Sequence, residues 1–125
     1  MPMSQSFQDR LFPIAADLAE HYGTPFHIYD EAGILETGEK LNKAFSSLDG
    51  FREYSAVKAL PNPRILELME KLNFGFDCSS IAELIMSRQV GGKGEDIMFT
   101  SNNTTEEEFL VAAEDGGSIL NLDDI

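Results

Sequence analysis

The chain has 125 residues, 42% of them hydrophobic, with 22 acidic against 9 basic side chains and a formal charge of −13. Its size allows one modest core, a single domain or part of one. The acidic balance leaves no basic footprint for nucleic acid or an anionic membrane surface. The charge reads as a solubility device, or as acid that leans on basic segments elsewhere.

Cys78 is the single cysteine, which excludes an intramolecular disulfide framework and fits a reducing compartment. His21 and His27 lack the spacing of a zinc cluster, so no metal site is expected. Met1 to Gln5 has no basic region followed by an apolar run, and no stretch approaches the roughly 18 apolar residues of a membrane span. The cytoplasm is the expected location.

In chain order, residues 1–10 are expected to be a loose tail. Ile14, Leu18 and Tyr22 then mark a short helix that Gly23 can end. Thr24-Pro25 introduces Phe26-His27-Ile28-Tyr29, an apolar and aromatic segment expected to be a strand ending at Asp30. His27 within it reads as a structural histidine. From Glu31 the period changes: Ile34, Leu41, Phe45 and Leu48 recur at helical offsets, with Gly33 and Gly38 weakening the helix and Asp49-Gly50 closing it. These elements form a leading segment over 11–50.

Residues 51–125 read as repeated strand–helix units. Tyr54, Phe74, Ile97 and Ile119 lie at or near strand starts, spaced by 20, 23 and 22 residues. Helices fit between them at 62–72, 80–90 and 104–114, and Gly75, Gly91-Gly92 and Gly116-Gly117 punctuate the returns. Strands alternating with helices at this period pair in parallel through right-handed crossovers. A leucine-rich solenoid repeats at a similar length, but its leucine and asparagine ladder is missing. In a parallel sheet the functional rim lies where strands end and helices begin. Here that rim collects Lys58, residues 77–80, residues 101–103, Asn121 and Asp123.

Lys58 is the candidate reactive group. Residues 54–59 read as a buried strand stopped by Pro61, after which Asn62 caps a helix starting at Pro63, with Ile65, Met69 and Leu72 on one face. Small apolar neighbours at a strand end disfavour the lysine's charge, and an uncharged amine attacks aldehydes. The plainer reading is a lysine that extends from a strand end into water. Ser80-x-x-Glu83 and Thr104-x-x-Glu107 match the capping box. Capping suffices for Thr104 and Glu107. For Glu83, capping and support of a site are both open. Asp77 is a carboxylate in an otherwise apolar strand end, which favours a functional reading. Cys78 reads as a small buried hydrophobe, and Asn102 and Asn103 as turn residues or site residues.

Ala56-Val57-Lys58-Ala59, followed by Pro61-Asn62, resembles the lysine motif of the pyridoxal-phosphate (PLP) decarboxylases related to diaminopimelate and ornithine decarboxylases. Residues 75–80 with Glu83 resemble that family's next block, and the 19-residue separation of Lys58 from Asp77 is also the family's. Residues 22–30 and 99–103 resemble two further blocks, so the likeness runs from Tyr22 to Ile125. Asn62 and the Asn102-Asn103 pair look most like diaminopimelate decarboxylase, whereas Leu60 departs from a position often polar in the family.

The resemblance implies an α/β fold: the first part of a TIM-like (β/α)8 barrel with parallel strands, preceded by a helix and a strand. It implies that Lys58 joins PLP covalently and that Ala56, Asp77, Glu83 and Asn102 belong to the cofactor site. The implied reaction is decarboxylation of meso-diaminopimelate to lysine. The implied partners are a small amino-acid substrate and, for the full-length enzyme, a second copy in a homodimer. Alternatives are a decarboxylase of ornithine or a related polyamine precursor, and a non-catalytic α/β binding module. A complete barrel takes about 250 residues, so the chain is expected to be the first part of such an enzyme, inactive and prone to self-association by itself.

Overall fold

The structure, a computed structural model, describes residues 3–100, 103–114 and 116–122. Two compact units divide the chain, Met1–Thr37 and Gly38–Ile125.

In the first unit, the expected tail is a helix, α1 (Gln5–Leu11). Ser4 initiates it by accepting the Phe7 N–H at 3.2 Å, a cap that a reading based on apolar periodicity passes over. A single turn at Phe12–Ile14, opened by Pro13, leads to α2 (Ala15–Tyr22), which ends at Gly23 with φ +77°. Helix α3 (Glu31–Ala44), whose residues from Gly38 onward belong to the second unit, begins as expected but stops before Phe45 and Leu48. Phe26 to Tyr29 is not a strand. A strand needs a ladder partner, and the described elements of this unit are helical. The segment is held instead by side chains: Asp30 takes an ion pair from Arg10, and the His27 and Tyr29 rings stack at 6.5 Å.

The second unit carries the repeat: β1 (Tyr54–Ala56), α4 (Pro63–Lys71), β2 (Gly75–Cys78), α5 (Ile81–Gln89), β3 (Ile97–Thr100), α6 (Glu106–Ala112) and β4 (Ile119–Asn121). The strands lie in the order β1-β2-β3-β4 and every pairing is parallel. The order never reverses, so this sheet has no switch point of the doubly wound kind; sequential parallel strands are how a (β/α) barrel opens.

Alternation along the strands separates two faces. Phe76, Cys78, Ile97 and Phe99 point to the helices and form the core with Val57, Leu66, Leu84 and Ala112. Full burial of each large apolar side chain contributes about 1.5–3 kcal/mol. The opposite face carries one row in register: Ala56, Asp77, Met98 and Ile119.

Local chemistry sets the element ends. Asn62 Oδ1 accepts the Arg64 N–H at 3.0 Å and Pro63 stands first in α4, as expected. Strand β1, however, ends at Ala56 rather than Ala59. Val57–Ala59 forms a single helical turn, closed by the Leu60 N–H on the Val57 carbonyl at 3.2 Å. Val57 is fully buried and anchors that turn. With Pro61 and Pro63 next, the segment lacks the N–H groups that would extend a ladder. The capping box of α6 also sits one residue later than expected. Thr105 accepts the Glu108 N–H at 3.3 Å, and Glu108 accepts the Thr105 N–H at 2.8 Å. Both Thr104 and Thr105 stand three residues before a glutamate, so the motif alone does not choose between them. Gly38 in α3 meets Leu72 so closely that a Cβ would collide with it, which accounts for a glycine in a helix interior.

Among the described residues, no helix is long and apolar enough to cross a membrane, and no group of three potential metal ligands occurs.

Candidate active site

At the C-terminal end of the sheet, β1 and β2 bring two predicted site residues into register: Ala56 pairs with Asp77. Lys58 follows Ala56 by two residues, within the Val57–Ala59 turn, which packs against β2 and α5. The side of the sheet away from the helices thus offers a methyl group and a carboxylate, and the turn just beyond the end of β1 carries the exposed Lys58.

Asp77 is half-buried, and its Oδ1 is buried with no hydrogen-bond partner. A buried acceptor left unsatisfied costs about 1–3 kcal/mol, so this oxygen is arranged at a cost to stability. Lys58 differs from expectation. It is exposed, so the apolar surroundings predicted to disfavour its charge are not supplied by the described residues.

Glu83 is engaged by the strand exit. Its Oε2 accepts the Ser79 N–H at 2.9 Å, its Oε1 accepts the Ser80 hydroxyl at 3.1 Å, and the Ser79 hydroxyl reaches both oxygens at 3.3 Å. Ser80 in turn accepts the Glu83 N–H at 3.4 Å. The expected cap is therefore present, with the carboxylate bonding the backbone of Ser79 rather than of Ser80. Further along the rim, Asn121 donates to the Thr100 hydroxyl at 3.3 Å. Asn102, Ser101 and Asp123, also predicted at this rim, lie outside the described residues.

Cys78 faces the helices, away from Asp77. Its Sγ lies 3.2 Å from Ser87 Oγ in the core. Burial pushes the thiol up to about 11, with Ser87 acting in the opposite direction. It is a packing residue at neutral pH, as expected from the sequence. Met98, beside Asp77 in the row, was not singled out from the sequence. The alternation of buried Ile97 and Phe99 with half-buried Met98 and Thr100 carried that signal.

These residues fit PLP. An aldehyde needs an accessible amine, and a cationic or protonated group of the cofactor or its adduct needs an acceptor. Lys58 is the accessible amine, Asp77 Oδ1 is the unfilled acceptor, and Ala56 adds only a methyl group beside Asp77.

Comparison with known proteins places the chain in a family. A family model described as pyridoxal-dependent decarboxylase, pyridoxal binding domain, matches residues 33–125. Protein TabA of Pseudomonas amygdali pv. tabaci is 48% identical over 124 residues, 99% of this chain and 29% of that protein. Diaminopimelate decarboxylase of Methanothermobacter thermautotrophicus is 34% identical over 110 residues, 87% of this chain and 26% of that protein. The crystal structure of diaminopimelate decarboxylase from M. jannaschi superimposes with a TM-score of 0.81 and 29% identity, covering 86% of this chain and 26% of that one. The four parallel strands are thus the N-terminal part of a TIM-like barrel. The chain spans between a quarter and three tenths of the length of these relatives. With a model match over most of its length, the chain belongs to the pyridoxal-dependent decarboxylases.

Proposed function

We propose that the whole protein decarboxylates meso-diaminopimelate to lysine with PLP as cofactor, and that Lys58, Ala56, Asp77, Glu83 and Asn102 form this chain's share of the site. The observation that carries the reading is the buried, unpartnered Oδ1 of Asp77 in register with Ala56, two residues from an exposed lysine. Bound PLP supplies an aldehyde that captures amines and a ring that accepts the electron pair released as carbon dioxide leaves.

The chain's own residues have separable tasks. Lys58 would hold PLP through its amine, the nucleophile that this chain would supply to the aldehyde. Asp77 offers a fixed acceptor to a positively charged or protonated group, gaining the hydrogen bond it lacks. Ala56 keeps the row open beside that carboxylate. The sheet holds Ala56 and Asp77 on rigid elements, which favours a fixed geometry for the reacting groups.

The choice of meso-diaminopimelate rests on the 34% and 29% likenesses to diaminopimelate decarboxylases. TabA, at 48% identity, bears a different name, so substrate identity is the property to assay first. Carbon dioxide release by the whole protein from meso-diaminopimelate, and not from ornithine or lysine, is the expected result. Turnover of ornithine alone would redirect the substrate assignment, and release from none of the three would overturn the reading.

A further inference from the structure

The two carboxylates at the end of β2 differ in what their oxygens do. Asp77 keeps one buried oxygen without a partner, whereas both oxygens of Glu83 are taken. A carboxylate offers about four acceptor positions. Three donors fill those of Glu83: the Ser79 N–H, the Ser79 hydroxyl shared between both oxygens, and the Ser80 hydroxyl.

The α6 cap shows what an ordinary box looks like in this chain. There Glu108 bonds the backbone N–H of its own N-cap residue, Thr105. Glu83 reaches one residue further back, to Ser79, which directly follows the last residue of β2. It therefore ties down the strand exit and the helix start together. The turn that carries Lys58 packs on both of those elements, β2 and α5.

We propose that Glu83 is a positioning residue for the Lys58 site, acting through the Ser79–Ser80 turn and making no contact with the cofactor. This rests on the functional reading above and sharpens it: of the two acids, Asp77 faces the cofactor and Glu83 fixes the ground on which Lys58 stands. Loss of Glu83 frees the Ser79 N–H and both hydroxyls, loosens the strand exit, and shifts the Val57–Ala59 turn relative to Asp77.

The test is a mutant cycle in the whole protein with PLP as the probe. Glu83→Ala is expected to weaken PLP binding on the order of tenfold, move the pH midpoint of the PLP–lysine absorption band, and speed amide exchange at Ser79 and Ser80. In a Ser79→Ala, Ser80→Ala background, Glu83→Ala should weaken PLP binding by clearly less than in the wild type, because part of the loss has already occurred. Glu83→Gln should restore most of the affinity, since its amide oxygen still accepts the Ser79 N–H. An undiminished loss in the serine-free background with amide exchange at residues 79 and 80 unaltered by Glu83→Ala would overturn the proposal by showing that Glu83 does not act through the turn. So would a lowered melting temperature with unchanged affinity and midpoint, the mark of a cap alone. Wild-type protein that fails to take PLP at Lys58 would instead sink the functional reading, while the exchange rates still report on the turn.

Discussion

Ala56 and Asp77 are paired across the β1–β2 ladder, and the carboxylate keeps a buried oxygen with no hydrogen-bond partner. That pairing separates stability from function at one residue. Asp77→Ala removes an unsatisfied buried acceptor and is expected to leave the whole protein as stable as before, or more stable by about 1 kcal/mol. The same change should weaken PLP binding by about tenfold, the worth of a hydrogen bond to a charged group. Denaturant titration and PLP absorbance on the same samples check both halves. A large loss of stability with unaltered PLP binding would make Asp77 a structural residue.

Close packing at the other end of the same face gives a second prediction. A Cβ at Gly75 would collide with the Tyr54 ring and lie 2.9 Å from the Asp96 carbonyl oxygen. The ring is held, since the Tyr54 hydroxyl donates to the Glu95 carbonyl at 2.7 Å. Gly75→Ala should therefore destabilise by about 1–3 kcal/mol, the usual range for an overpacked site. Urea unfolding measures it, and a change under about 0.5 kcal/mol, typical of an unconstrained surface position, would show that the ring can move.

Cys78 predicts a pH dependence. Its thiol is raised from 9.0 to about 11 in the fold, chiefly by burial. The folded form then holds a proton that the unfolded chain releases, so the contribution is complete below about pH 9 and falls away as the pH climbs toward 11. Two pH units correspond to about 2–3 kcal/mol. Wild-type protein should lose more stability than Cys78→Ala between pH 9 and 11, by about that amount. Parallel pH profiles for the two proteins would contradict the burial argument. Alkylation of the native thiol at pH 8 should be slow and should become fast on unfolding.

Much of this was legible in the residues, because the governing signals are local or periodic. The starts of β1, β3 and β4, and the Asn62–Pro63 helix start, follow from apolar runs bounded by turn and cap residues. Apolar character alone did not reveal which runs would find a ladder partner. Phe26 to Tyr29 has the composition of a strand but does not form one, and Val57 to Ala59 spends its backbone on a turn. The α1 helix was missed because its signal is the Ser4 cap rather than an apolar stripe. At the site, Lys58 and Asp77 stood out as charges in apolar settings. The exposure of one and the unfilled oxygen of the other are tertiary outcomes. The Ser79 link to Glu83 was hidden because the capping pattern in the sequence points to Ser80.

The central claim is that the amine of Lys58 takes the PLP aldehyde. Lys58 is exposed, so Lys58→Ala should abolish carbon dioxide release while shifting stability by no more than about 0.5 kcal/mol. The most direct measurement is borohydride reduction of the PLP-treated whole protein followed by peptide mapping. A single label at Lys58, absent from Lys58→Ala, is the predicted result; label spread over other lysines, or unchanged in that variant, would contradict it.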